Sequence, residues 1–140
     1  MSDGGKRLLL LVEDDDNEVT IAMRALRRGV PGVEVRVLRD GAEALEYIDE
    51  PDAPLPDAVL LDLNMPRVDG FQVLRELRRR ESWRHVPVVV VTSSSRDEDV
   101  MRSYELGANS FVTRRFDPER PGRYFSDVSR YWVEINRSIR

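Results

Sequence analysis

The stretch Ala58-Val59-Leu60-Leu61-Asp62-Leu63-Asn64-Met65-Pro66-Arg67-Val68-Asp69-Gly70 decides how this chain is read. A wholly apolar run ends in one carboxylate, and a turn signal follows at once. An apolar run of this length suits a strand buried on both faces. A charged residue at the tip of such a strand is costly unless it has a partner or a task. A second run, Leu8-Leu9-Leu10-Leu11-Val12, ends the same way, in Glu13-Asp14-Asp15-Asp16. Two strand ends carrying carboxylates point to one shared acidic pocket. Such a pocket can hold a hard divalent cation and leave one carboxylate free to react.

Outward from these two runs, apolar and amphipathic segments alternate. Val88–Val91 reads as a third buried strand. Val33, Val35 and Val37 alternate with Glu34 and Arg36, as a strand with one exposed face would, and Ser110–Thr113 reads as a short last strand. Between them, Val19, Met23 and Leu26 fall at helical spacing, as do Ala42, Leu45 and Ile48, and Phe71, Leu74 and Leu77. Asp97-Glu98-Asp99 opens a further helix, because acids favour the positive helix start, and Gly107 stops it. The three prolines within Pro51–Pro56 make that segment a loop. Tyr124, Phe125, Val128, Tyr131, Trp132, Ile135 and Ile139 form a wide stripe, which predicts an extended last helix over about 120–140. Strict alternation of this kind predicts an α/β fold: a doubly wound, five-stranded parallel sheet with helices on both faces. The crevice of such a sheet lies at the carboxyl ends of its strands. Glu13, Asp14, Asp62, Thr92 and Arg114 all fall at expected strand ends.

Composition narrows the function classes. The chain has 140 residues, the size of one domain, and is 41% hydrophobic, enough for a core. It has no cysteine, which excludes disulfides and thiolate metal sites. A net charge of -4 speaks against nucleic-acid binding. Met1 to Arg7 lacks an export-type cleavage region, and Leu8–Val12 is too short to span a membrane, so the expected location is cytoplasmic. The segment Gly-x-x-x-x-Gly-Lys-Ser/Thr of nucleotide hydrolases is missing. Lysine occurs once, at Lys6, against 21 arginines.

Four motifs, in order and at fitting spacing, resemble the receiver domain of two-component response regulators. They are Glu13-Asp14; Asp62-Leu63-Asn64-Met65-Pro66 with Asp69-Gly70; Val91-Thr92-Ser93; and Gly107-Ala108-Asn109-Ser110-Phe111. The resemblance covers nearly the whole chain, as a single receiver domain over 1–140. The run from Gly107 to Thr113 and the Tyr131-Trp132 ending are more similar to single-domain regulators that serve phytochromes.

The resemblance implies the flavodoxin-like strand order 2-1-3-4-5. It implies that Asp62 accepts a phosphoryl group from a histidine kinase, here one of the bacterial phytochrome type. It implies that Asp14, Asp62 and the backbone carbonyl of Asn64 bind Mg²⁺, with Glu13 acting through water. Thr92 would hydrogen-bond the phosphoryl oxygens, and Phe111 would be the aromatic that changes rotamer. Such a chain is expected to act through partners rather than as a metabolic enzyme, its catalysis confined to phosphotransfer and dephosphorylation.

Each of these residues also has a plainer reading. The acidic run could be a solvated, helix-capping turn, and Asp15 and Asp16 are read as surface or capping residues. Thr92 could be an ordinary strand-end hydroxyl and Phe111 simply core. His85, the single histidine, is read as structural or exposed, and Trp83 as covering a helix end. One departure stands out: the family's Lys-Pro after the last strand reads Arg114-Arg115. Arginine keeps the charge, but its planar fork is not a point charge. Either arginine has drifted in, or the receiver is tuned away from ordinary switching, with phosphorylation altered but surviving; the alternative function is a degenerate receiver that binds partners without phosphorylation. Arg114 is expected to pair with Asp62 or Asp14 at rest. The wide last stripe is expected to form a two-fold homodimer.

Overall fold

The structure, a computed structural model, describes residues 7–139. The expectation for the N-terminal segment therefore lies outside the described residues, save for Arg7. Five strands and five α-helices alternate: β1 (Leu8–Val12), α1 (Asp16–Gly29), β2 (Glu34–Leu38), α2 (Gly41–Asp49), β3 (Ala58–Leu61), α3 (Gly70–Arg79), β4 (Val88–Thr92), α4 (Asp97–Glu105), β5 (Ser110–Thr113) and α5 (Arg123–Arg130). All ladders are parallel, in the order β2-β1-β3-β4-β5. The expected doubly wound, flavodoxin-like sheet is the one present. β1 and β3, adjacent at its centre, pair Val12 with Leu61, so Glu13 and Asp62 leave the sheet side by side.

The pleat sorts the buried strands between two layers. Leu8, Leu10, Val12, Val59, Leu61, Val88 and Val90 pack with α2 and α3. Leu9, Leu11, Ala58, Leu60, Val89 and Val91 face α1 and the last helix, where Ala22, Leu26 and Phe125 close the core. This two-sided burial is why those runs read as continuous apolar sequence rather than as alternation.

Local signals place the helix ends. Asp15 caps α1, accepting from Asn17 N at 2.8 Å and Glu18 N at 3.2 Å. Asp69 and Gln72 form a capping box at the start of α3. Gly70 is required there for space: a Cβ would stand 2.3 Å from the carbonyl oxygen of Asp62. α4 begins at Asp97 and is followed by Gly107 at φ 104°, as its acids and glycine foretold.

Two expectations need correction. The buried side of α2 is Gly41, Ala44, Tyr47 and Ile48, while Ala42 is exposed. Tyr47 can be buried because its hydroxyl donates to Pro54 O at 2.6 Å. The last helix is also shorter than 120–140. It starts at Arg123, passes at Tyr131 into a wide π turn, and ends at Ile135. Asn136 N closes that turn on Tyr131 O at 2.6 Å, and Asn136 is itself extended. The extra residue in the turn brings Trp132 and Val133 against the Leu9–Leu26–Ala58 cluster and leaves Ile135 65% exposed.

Candidate functional site

The sheet's carboxyl edge opens into a polar pocket lined by Glu13, Asp14, Asp15, Asp62, Asn64, Ser93 and Arg114. Every residue expected at the site except Phe111 and Thr92 lines it. Thr92 is fully buried at its wall, and its Oγ1 accepts from Asn64 Nδ2 at 3.3 Å. Phe111 packs partly buried against the core layer of α2 and α3.

Asp62 is held by its own strand and by what surrounds it. Its backbone N bonds Val12 O at 3.1 Å, continuing the β1–β3 ladder one residue past the strand. Its side chain is 5% exposed yet hydrogen-bonded by Thr92 and by the backbone of Asn64. Burial raises the Asp62 carboxyl above the ordinary range, and Arg114 and those hydrogen bonds pull back against it. Glu13 is 1% exposed, and burial together with the neighbouring Asp62 pushes its carboxyl up to about 7. Asp14 stays exposed at the mouth. Arg67, in the loop beyond Asp62, holds a left-handed φ of 66°. Non-glycine residues take that conformation uncommonly, and it gathers at functional loops.

Glu13, Asp14 and Asp62 each bring a carboxylate oxygen within 4.8 Å of the others. Repulsion between two such charges at 4 Å is about 4 kcal/mol at an effective dielectric near 20. An all-oxygen set of three acids suits a hard divalent cation such as Mg²⁺, Mn²⁺ or Ca²⁺ rather than a soft metal.

Arg114 is already engaged with these acids. Its backbone N continues β5 by bonding Thr92 O at 2.8 Å, which turns the side chain back over the pocket. Nη2 bonds Glu13 Oε1, donates to Val91 O at 3.1 Å and lies 3.6 Å from Asp62 Oδ1. The expected partner Asp62 is thus present, but Glu13 takes the place foreseen for Asp14. Sequence reasoning missed Glu18, which lies 3.6 Å from Arg114 Nε, and Tyr124, whose hydroxyl donates to Glu18 Oε1 at 3.2 Å. An acid in the first turn of α1 carries no signal beyond helix stabilisation. His85 is exposed and away from the pocket, and Trp83 is buried after α3.

Known proteins are similar to this chain in sequence and fold. The family model of the response regulator receiver domain matches residues 9–121. The probable methanogenesis regulatory protein FilR2 of Methanothrix harundinacea is 39% identical over 135 residues, covering 94% of this chain and 86% of that one. Response regulator Rcp1 of Synechocystis sp. is 31% identical over 132 residues, covering 91% of this chain and 90% of that one. The Mn²⁺-bound structure of response regulator Rcp1 has a TM-score of 0.86 at 30% identity, over 96% of this chain and 99% of that chain. The phosphorylated cyanobacterial phytochrome response regulator RcpA has a TM-score of 0.89 at 28% identity, over 97% of this chain and 100% of that chain.

Proposed function

The chain belongs to the family of response regulator receiver domains, and on that premise we propose that it is a phosphoacceptor switch in two-component signalling. Asp62 is the acceptor. The observation that carries this reading is its placement: a buried carboxylate at the tip of the central strand, beside a hydroxyl, a guanidinium and two further acids. An Asp62 oxygen forms the new P–O bond while the P–N bond of a kinase phosphohistidine breaks, the imidazole leaving with the electron pair. Thr92 Oγ1 and Arg114 then hydrogen-bond the phosphoryl oxygens, and Phe111 answers by changing rotamer.

Receiver domains bind a divalent metal, and the acids of this pocket fit one. We assign Mg²⁺ to Asp14, Asp62 and the Asn64 carbonyl, with Glu13 acting through water. When bound, the cation neutralises charge on the acids and on incoming phosphate oxygens. The likeness to Rcp1 and RcpA supports a kinase of the phytochrome type as donor. Among the described residues, no helix is long and apolar enough to cross a membrane. We place the protein in the cytoplasm, acting through protein partners, self-associating through its last helix, and performing no catalysis beyond its own phosphotransfer and dephosphorylation.

A second reading, a binding module that works without phosphorylation, draws on Arg114, which already occupies Glu13 and Asp62. Intact mass after incubation with Mg²⁺ and acetyl phosphate separates the two. The wild-type chain gains one phosphoryl group and Asp62→Asn gains none. An unmodified wild-type chain would favour the second reading, and a phosphorylated Asp62→Asn would displace the acceptor.

A further inference from the structure

The donors of Arg114 are used unequally, and Nη2 is the one that serves the pocket. Nη2 faces Glu13, Asp62 and Val91 O. Nε, a separate donor of the same guanidinium, is buried and donates no hydrogen bond among the described residues. A donor left so inside a protein is costly, and native structures seldom keep one without a use. It faces Glu18 Oε1 at 3.6 Å, inside ion-pair range but beyond a hydrogen bond. Glu18 is not free to close that gap at will, because Tyr124 holds the same oxygen at 3.2 Å. Burial and the Glu18 charge push the Tyr124 phenol up to about 12, so it stays a donor at neutral pH.

Tyr124 sits where α1 and α5 abut closely. A Cβ on Gly29 would stand 2.6 Å from the Cβ of Ser126, and one on Gly122 would stand 2.7 Å from Ile21 Cγ2. Contact this tight transmits small displacements rather than absorbing them.

We propose that Glu18 is a positioning residue for Arg114, holding its Nε donor while Nη2 serves Asp62, so that the guanidinium links the acceptor to the α1–α5 contact. This deepens the reading of Asp62 as phosphoacceptor and rests on it for its use in signalling. Negative charge gained at Asp62 draws the fork away from Glu18. Charge lost at Asp62 lets the fork close on Glu18, in competition with the Tyr124 hydroxyl. An ammonium is one compact charge without a rigid planar array of donors, so lysine at this position could not serve both acids in the same way.

The test needs no phosphodonor. The ring Cζ resonance of ¹³C-labelled Tyr124, assigned with Tyr124→Phe, is compared before and after Asp62→Asn in three backgrounds: wild type, Arg114→Lys and Glu18→Gln. Glu18→Gln keeps an acceptor for the tyrosine but removes the ion pair. The expected result is a Tyr124 shift on Asp62→Asn in the wild-type background that is lost in both others. A shift that is missing from the wild type, or that persists in either variant background, overturns the proposal. Intact mass with acetyl phosphate on the same wild-type sample reports the acceptor reading separately, so failure of one is distinguishable from failure of the other.

Discussion

Nη2 of Arg114 stands 3.6 Å from Oδ1 of Asp62, close enough for an ion pair and too far for a hydrogen bond. The closer attachment is to Glu13, and both acids are nearly sealed from water. The cation that would meet a phosphoryl group is therefore partly committed at rest. Moving a two-state equilibrium from about 1:99 to 99:1 takes about 5.5 kcal/mol of differential stabilisation. A guanidinium already paired in the resting state supplies less of that difference.

Arg114→Lys should therefore widen the phosphorylation-dependent change at Thr92 and Phe111, read as amide NMR shifts, and should tighten Mg²⁺ binding. The ammonium engages the acids as a compact point charge and releases Glu13 more readily than the fork does. Unchanged shifts together with unchanged Mg²⁺ affinity would mean that arginine is only a drift replacement for lysine.

The pH dependence of stability follows from Glu13. Its folded carboxyl titrates at about 7 against an ordinary 4.5, so between those values the folded chain binds more protons than the unfolded one. Stability is then greatest below the lower value and falls as pH rises through the upper one. The shift corresponds to a loss on the order of 3 kcal/mol across that window. Asp62, raised in the same direction, adds to it. Without divalent metal, the urea midpoint should drop from pH 5 to pH 7.5. Saturating Mg²⁺ should restore most of it at the higher pH, because a ligand that binds only the folded acids stabilises them by mass action. Glu13→Gln should flatten the metal-free slope, and a slope unaltered by that change would place the titration elsewhere.

The sheet and the buried carboxylate at its edge were legible because their physics is local. A strand buried on both faces must be apolar throughout, so Leu8–Val12 and Val88–Val91 announce themselves, and a carboxylate at such a strand's end stands out. The last helix was harder, because an apolar stripe says nothing of a wide turn that rotates it at Tyr131. The stripe on α2 was read without Tyr47, which is buried with its hydroxyl donating to Pro54 O. Arg78 was invisible for a different reason. In a chain that uses arginine at almost every cationic position, none of the many is marked out as one that folds inward.

Arg78 folds inward as Arg114 does. Its guanidinium donates to the carbonyls of Trp83 at 3.0 Å, Val86 at 2.8 Å and Gly107 at 3.0 Å, and to Asn109 Oδ1 at 2.9 Å. Asn109 Oδ1 also accepts from Val88 N at 2.8 Å, so one side chain ties the end of α3 to the starts of β4 and β5. Arg78→Ala would strand several part-buried carbonyls, a loss of about 2–4 kcal/mol. Arg78→Lys should recover less than half, since an ammonium cannot reach four acceptors spread in a plane. Urea denaturation of the metal-free protein checks both, and a cost for Arg78→Ala below about 1 kcal/mol would show that water replaces the network.

Self-association must now be argued from a smaller surface than the full stripe. Trp132 and Val133 pack against Leu9, Leu26 and Ala58 of their own chain and are partly buried there, so they offer a second copy less surface. Tyr131, Ile135 and Ile139 remain, at 45%, 65% and 70% exposed. Exposed apolar side chains such as Tyr131 and Ile135 at the end of the last helix, with Ile139 beyond it, favour pairing with their own image across a two-fold axis. Two substitutions should then act differently. Ile135→Asp should lower the mass measured by light scattering from dimer to monomer and leave the urea midpoint nearly unchanged, because Ile135 touches little of its own domain. Trp132→Ala should lower the urea midpoint, by about 3 kcal/mol for a large aromatic lost from a core edge. It should disturb the dimer only through the altered course of the π turn. A wild-type chain that is monomeric at tens of micromolar, or a dimer indifferent to Ile135→Asp, would remove the last helix from the interface.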